Sequence, residues 1–139
     1  MADMPSVFEF SSSVADQEAP PVLPAGTYIA NVKHVEAKIS ATSGNKYAAV
    51  TFHIPPDQFP PDFLDGPADG LTLGYNMVVL EDTPRARYNI KKFCDSIDAP
   101  LPTTSLDLTS WLGREAKVVT KVDKWQGEER AQIDRVQKV

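Results

Sequence analysis

An all-β fold carrying one helix is predicted by three observations on this 139-residue chain. Several segments alternate apolar and polar residues with the period of two that a strand requires. Only one segment repeats its apolar residues at the helical period, and glycine-bearing turns punctuate the rest. The length suits one domain with one core. Hydrophobic residues make up 42% of the chain and charged residues 24%, ordinary globular values that allow folding without staples.

Residues 1–24 read as a flexible, acidic N-terminal arm, because Ser11–Ser13, Pro20, Pro21 and Pro24 interrupt any periodic pattern. Val7, Phe8 and Phe10 are the exception, apolar residues free to dock on the domain or on a partner. The domain itself is assigned to 25–139. Thr27–Ile39 is rich in β-branched and aromatic residues and ends at the turn 40–45 (SATSGN). Lys46–Ile54 sets Ala48, Val50, Phe52 and Ile54 on one face and Tyr47, Ala49, Thr51 and His53 on the other. The segment 55–69 holds five prolines and reads as a stiffened loop, since proline can neither join a central ladder nor sit inside a helix.

Gly70–Leu80 alternates again, with Leu71, Leu73, Tyr75, Met77 and Val79 on one side and Gly74 predicting a bulge or sharp bend. The helix is predicted over 84–97, capped by Asp82 or Thr83, with Pro84 at its first position. Ala86, Ile90, Phe93, Cys94 and Ile97 form its apolar stripe. Asp107–Trp111 suggests a short helical turn, and Glu115–Lys124 and Glu128–Val139 form a hairpin about Trp125–Gly127. Strand, strand, strand, helix, strand, strand is the order of a five-stranded OB-like barrel (β-β-β-α-β-β). An SH3-like barrel and an open α+β sheet are the alternatives. Phe52, Val50, Leu73, Ile90, Phe93, Val118 and Ile133 are expected to share one core.

Catalysis has little to stand on. No Walker loop, Rossmann glycine pattern or nucleophile elbow occurs. The carboxylate pairs Glu81–Asp82 and Glu128–Glu129 fall at a helix start and a turn, where negative charge has structural reasons. Cys94, the only cysteine, excludes an intrachain disulfide and reads as a small core residue. His34 and His53 lack ligand spacing, so no metal and no cofactor is expected. The chain is therefore read as a binding protein and not an enzyme.

Net charge is −5, yet its distribution favours a phosphate partner. Residues 1–25 carry −4 and residues 55–82 carry −6, neither with a single base, which leaves +5 on the rest. Attraction of phosphates depends on the local patch. The predicted outward faces carry Tyr47, Thr51 and His53 on the second strand, and Lys117, Lys121 and Trp125 on the fourth. Lys33 and Lys46 stand beside them, although Lys33 shares parity with apolar Ile29 and Val35. Aromatics among lysines give a stacking platform beside an electrostatic groove, the requirement for binding single strands. The loops 40–46 and 125–129 would flank that face. On the helix, Arg85, Tyr88 and Lys92 lie opposite the apolar stripe, where a solvated face is the simpler account.

The segment 23–28 (LPAGTY), the preceding Phe8-Glu9-Phe10, the Lys38…Ser43-Gly44 turn, the proline-interrupted middle and the final Trp-Gln-Gly-Glu hairpin resemble a family of small bacteriophage proteins. Its members are described as single-stranded-DNA-binding proteins and their relatives, with an OB-like domain. The resemblance spans most of 8–136 and implies an accessory of DNA replication or recombination that coats single-stranded DNA in the host cytoplasm. It implies no catalytic residue. The sequence departs from the acidic C-terminal tail of many such binders, since it ends in Asp134-Arg135-Val136-Gln137-Lys138-Val139. Here the acidic segment is N-terminal, the candidate recruiter of replication or recombination proteins. No membrane contact is expected, and self-association is left open. Two other classes compete: a phage structural module of the capsid or virion, and an inhibitor of a host enzyme that mimics DNA with its acidic loop.

Overall fold

The computed structural model describes residues 6–16, 22–63 and 66–139, with Trp125 described by its backbone alone, and the described residues form five strands, one α-helix and two short 3-10 turns. The parts of the expected arm at 1–5 and 17–21, and loop residues 64 and 65, lie outside the described residues. Strands β1 (Gly26–Ile39), β2 (Lys46–Ile54), β3 (Leu71–Val79), β4 (Glu115–Trp125) and β5 (Glu128–Gln137) form one sheet of order β3-β2-β1-β4-β5. Every neighbouring pair is antiparallel. Helix α1 (Pro84–Ser96) stands between β3 and β4 in sequence.

The long central strand β1 is shared between two halves of the sheet. Its residues Gly26–Asn31 pair with Thr120–Glu115 of β4, and Asn31–Ile39 pair with His53–Lys46 of β2. Three bulges bend the ladders: Lys33 is an extra residue in β1, β3 carries an extra residue at 76–77, and Asp134 is extra in β5. A bulge raises local twist and lets a sheet turn a corner. Among the described residues no ladder joins the edge strands β3 and β5, so the sheet is not closed by hydrogen bonds. Their Cα atoms nevertheless approach within 8 Å, so the sheet curls until its edges face each other.

The bend expected at Gly74 falls two to three residues later, at 76–77. Its consequence is a change of face. Leu71, Leu73 and Tyr75 pack on the core as expected, whereas Met77 and Val79 are exposed and Val78 is buried in their place. The bulge at Lys33 does the same in β1. It puts Ile29 and Val35 on opposite faces despite their shared parity, because Ile29 pairs with Lys117 while Val35 pairs with core residue Val50.

The inner face of the sheet and α1 enclose one core. Thr83 caps the helix by accepting a hydrogen bond from the Ala86 N–H at 3.2 Å, and Pro84 holds the first helical position. Ala86, Phe93, Cys94 and Ile97 are buried, so the 3.6-residue stripe faces the sheet. Phe93 is the hub: its ring lies 6.4 Å from Phe52, 5.7 Å from Tyr75 and 4.8 Å from Trp111. Val50, Phe52, Phe93, Val118 and Ile133 belong to the buried cluster, with Leu73 and Ile90 packed against it. Trp111 ends the expected short turn at Leu108–Trp111 and is fully buried. Burial pushes the Cys94 thiol up, an effect partly offset by the Trp111 side chain.

The LPAGTY segment latches the start of the domain. Leu23, which the sequence places in the arm, is buried in the core. The Tyr28 hydroxyl donates to the Pro24 carbonyl at 2.6 Å, and the Gly26 N–H donates to Thr120 Oγ1 at 3.2 Å. This segment thus closes the fold. Residues 6–16 form no helix or strand and are exposed.

Candidate nucleic-acid interface

Alternation along β2 sets the outer face. Ala48, Val50, Phe52 and Ile54 are buried, and Tyr47, Ala49, Thr51 and His53 on the opposite side are half-buried, as the sequence predicts. The register then fixes their neighbours. Tyr47 lies between Lys38 of β1 and Val79 of β3, Thr51 between His34 and Gly74, and His53 between Asn31 and Thr72. Met77, 72% exposed, lies between the Tyr47 and Thr51 rows. Sequence alternation alone misses Lys38, Met77 and Val79, because the bulges that turn the last two outward leave only a weak trace, the Gly74…Asn76 break.

The β4 candidates continue this side of the sheet. Lys117 pairs with Ile29 and Gln137, and Lys121 with Gln132. They are not gathered with Tyr47. Tyr47 sits opposite Lys38 and Lys117 opposite Ile29, which separates them by about 25–30 Å along β1 at the rise of a strand. The face is a track rather than a pocket. Lys46 opens β2 at the 40–45 turn, with an exposed side chain and its N–H donating to Glu81 Oε1 at 3.1 Å. The other hairpin turns through Gln126 and Gly127, both at positive φ, beyond the opposite end of β1.

Charge on the track is mixed. Lys33, Lys46 and Lys117 make no ion pair among the described residues, whereas Lys121 lies 3.6 Å from Asp134 and Lys38 lies 3.1 Å from Glu36. The hydrogen bond and charge of Lys38 hold the Glu36 carboxyl below its usual range, so Lys38 keeps an anionic neighbour. Lys33 and Lys117 are therefore free for a phosphate and two cations are already engaged, while Lys46 shares the parity of buried Ala48 and so starts β2 on the side opposite Tyr47.

His53 is the candidate that the structure removes from the free set. Its Nε2 lies 2.7 Å from the Asp69 carbonyl, which can only accept, so the nitrogen carries the proton. Gly70 follows at φ +87°, and a Cβ there would stand 2.4 Å from the Ile54 carbonyl and 2.7 Å from His53 Nε2. The proline-rich loop closes on this end of β2. The loop also holds β1, since the Ile29 N–H donates to Gln58 Oε1 at 3.1 Å, and its Phe59 and Phe63 pack against the core. Trp125 ends β4 opposite Glu128, and the expectation for its side chain lies outside the described residues.

Among the described residues no group of three or more His, Cys, Asp or Glu could hold a metal ion, and no helix is long and apolar enough to cross a membrane. No curated protein matches the sequence. A family model described as "Protein of unknown function (DUF669)" matches residues 8–138, and the chain belongs to that family.

Proposed function

We propose that this protein binds single-stranded DNA, as an accessory of phage replication or recombination, and that its curled sheet works as an OB-like barrel. The observation that carries the reading is the outer track of the sheet. Tyr47 is presented beside exposed Met77 and Val79, and the unpaired Lys33 and Lys117 stand on β1 and β4, with Lys46 at the start of β2 beside the track. Bases stack on an aromatic face regardless of sequence, while cations follow the phosphates. A track of about 25–30 Å suits the roughly 4–16 nucleotides that one such domain covers. The sequence gathers ten of its 19 acids in residues 1–25 and 55–82, which hold no base, and leaves the rest of the chain at +5. The work assigned is binding, and no bond is made or broken.

Tryptophan fluorescence tests the reading, because Trp111 is buried and supplies a constant background. Titration with a poly-pyrimidine strand is expected to quench the remaining emission and to weaken as salt rises. No quenching and no affinity at low salt would end the DNA-binding reading and put the virion module in front. The exposed arm residues Val7, Phe8 and Phe10 are the feature that favours that second reading.

A further inference from the structure

A groove of about 930 Å3 lies between α1 and the segment 101–108. Its lining mixes Glu81 and Asp82 with Arg87, Tyr88, Lys91 and Leu101, so its charge selects no partner. The outer face of the sheet offers a more definite arrangement. Alternate residues of β1, His34, Glu36 and Lys38, stand opposite Thr51, Ala49 and Tyr47 of β2. A carboxylate is therefore set inside the track, between the Tyr47 and Thr51 rows.

Each oxygen of that carboxylate has a neighbour on its own strand. Glu36 Oε1 lies 3.1 Å from Lys38 Nζ, and Oε2 lies 3.6 Å from His34 Nε2. Across the ladder, Ala49 presents only a methyl. The hydrogen bond and charge of Lys38, with a smaller share from His34, hold the Glu36 carboxyl below its usual range, so the anion persists beside the ammonium. The three side chains are 48% to 62% exposed. Water screens such pairs, and they give way to a better-placed anion at little cost.

We propose that Glu36 is an internal stand-in for phosphate: it holds Lys38 in the empty track, and an incoming strand exchanges it there for a backbone phosphate. The inference rests on the DNA-binding reading and adds to it a residue that sets affinity and salt response. Bases stacked on Tyr47 bring the strand's phosphates to Lys38, its ladder neighbour. His34 stays beside the released carboxylate as its second neighbour. An ammonium passed from one anion to another gains only the difference between them, so the track neutralises less phosphate charge than its lysines would suggest.

Anisotropy titrations of labelled oligothymidylate with the full chain, at several salt concentrations, test the exchange. Glu36→Gln keeps the length of the side chain and removes its charge. It is expected to tighten binding about two- to fivefold at low salt, because no surface ion pair has to be given up. It should also steepen the fall of log affinity with log salt by roughly 0.7, one further phosphate. The same substitution in a Lys38→Ala background is expected to give a clearly smaller gain, since no ammonium is left to release. Both side chains are about half exposed, so neither substitution empties the core. Mere removal of a repelling charge would act equally in the two backgrounds. Equal gains, or no gain from Glu36→Gln when the wild type binds, would overturn the proposal and leave the DNA-binding reading standing. No binding at low salt by the wild type or by Glu36→Gln would end that reading and this inference with it.

Discussion

The inner side of β2 buries Ala48, Val50, Phe52 and Ile54, while its outer side leaves Tyr47, Ala49, Thr51 and His53 half covered. The same nine residues thus present two different faces, separated only by the period of a strand. Inward side chains are held by α1 through Phe93, whose ring contacts Phe52, Tyr75 and Trp111. Outward ones meet mostly polar neighbours across the β1 ladder (Lys38, Glu36, His34 and Asn31) and, apart from His53 under the Asp69 carbonyl, keep their polar atoms available. If the proposed binding is right, substitutions inward should change stability and substitutions outward should change affinity.

The largest effect should come from Phe93→Ala, which empties the centre of the aromatic cluster. A loss of about 3–5 kcal/mol of stability is expected, read by denaturant unfolding. Next, Tyr47→Ala should leave the unfolding midpoint nearly unchanged and weaken oligonucleotide binding by about 1–3 kcal/mol, with little change in salt dependence. If Tyr47→Ala proved as destabilising as Phe93→Ala, the division of labour between the faces would fail.

How much of this contrast is legible in the sequence depends on where the alternation is unbroken. In β2 nothing interrupts it, and both faces read directly. The helix is legible as well, since Thr83, Pro84 and the Ala86–Ile97 stripe all point to one start and one buried face. In β1 and β3 the bulges at Lys33 and 76–77 reverse the parity midway, so Ile29, Met77 and Val79 change sides without any change in composition. Trp111 is missed as the hub's largest partner because its apolar neighbours, Leu106 and Leu108, lie in an irregular stretch with no period to read. The loss of His53 from the binding set is invisible for another reason: it depends on a contact with Asp69, 16 residues further along the chain.

Alkaline pH sharpens the comparison, because the groups pushed upward face inward. Burial raises the Tyr28 phenol, helped by the Asp62 charge, and burial also raises the Tyr75 phenol and the Cys94 thiol. The unfolded chain therefore releases these protons first as pH climbs. Their contribution is full below the ordinary thiol and phenol values and is lost above about pH 9–10. Thermal unfolding should show the midpoint falling in that window, less steeply for Tyr28→Phe. A midpoint that is flat from neutral pH to beyond that window would contradict the burial of these groups.

The smallest effect concerns individual cations on the track. Lys117→Ala should lower the slope of log affinity against log salt by roughly 0.7, the value for one lost phosphate contact on a single strand. Lys121→Ala should lower it less, since Asp134 already engages that ammonium at 3.6 Å. Equal slopes for Lys117→Ala and the wild type would remove Lys117 from the track.

The most direct measurement is a map of backbone amide shifts in the labelled protein titrated with oligothymidylate. The account expects the shifts to run along the outer track, through Lys38, Tyr47, Thr51 and Lys117, while the α1 groove at Tyr88, Lys91 and Leu101 stays unchanged. Shifts confined to that groove, or none at saturating strand, would contradict the claim that the outer face of the sheet binds single-stranded DNA.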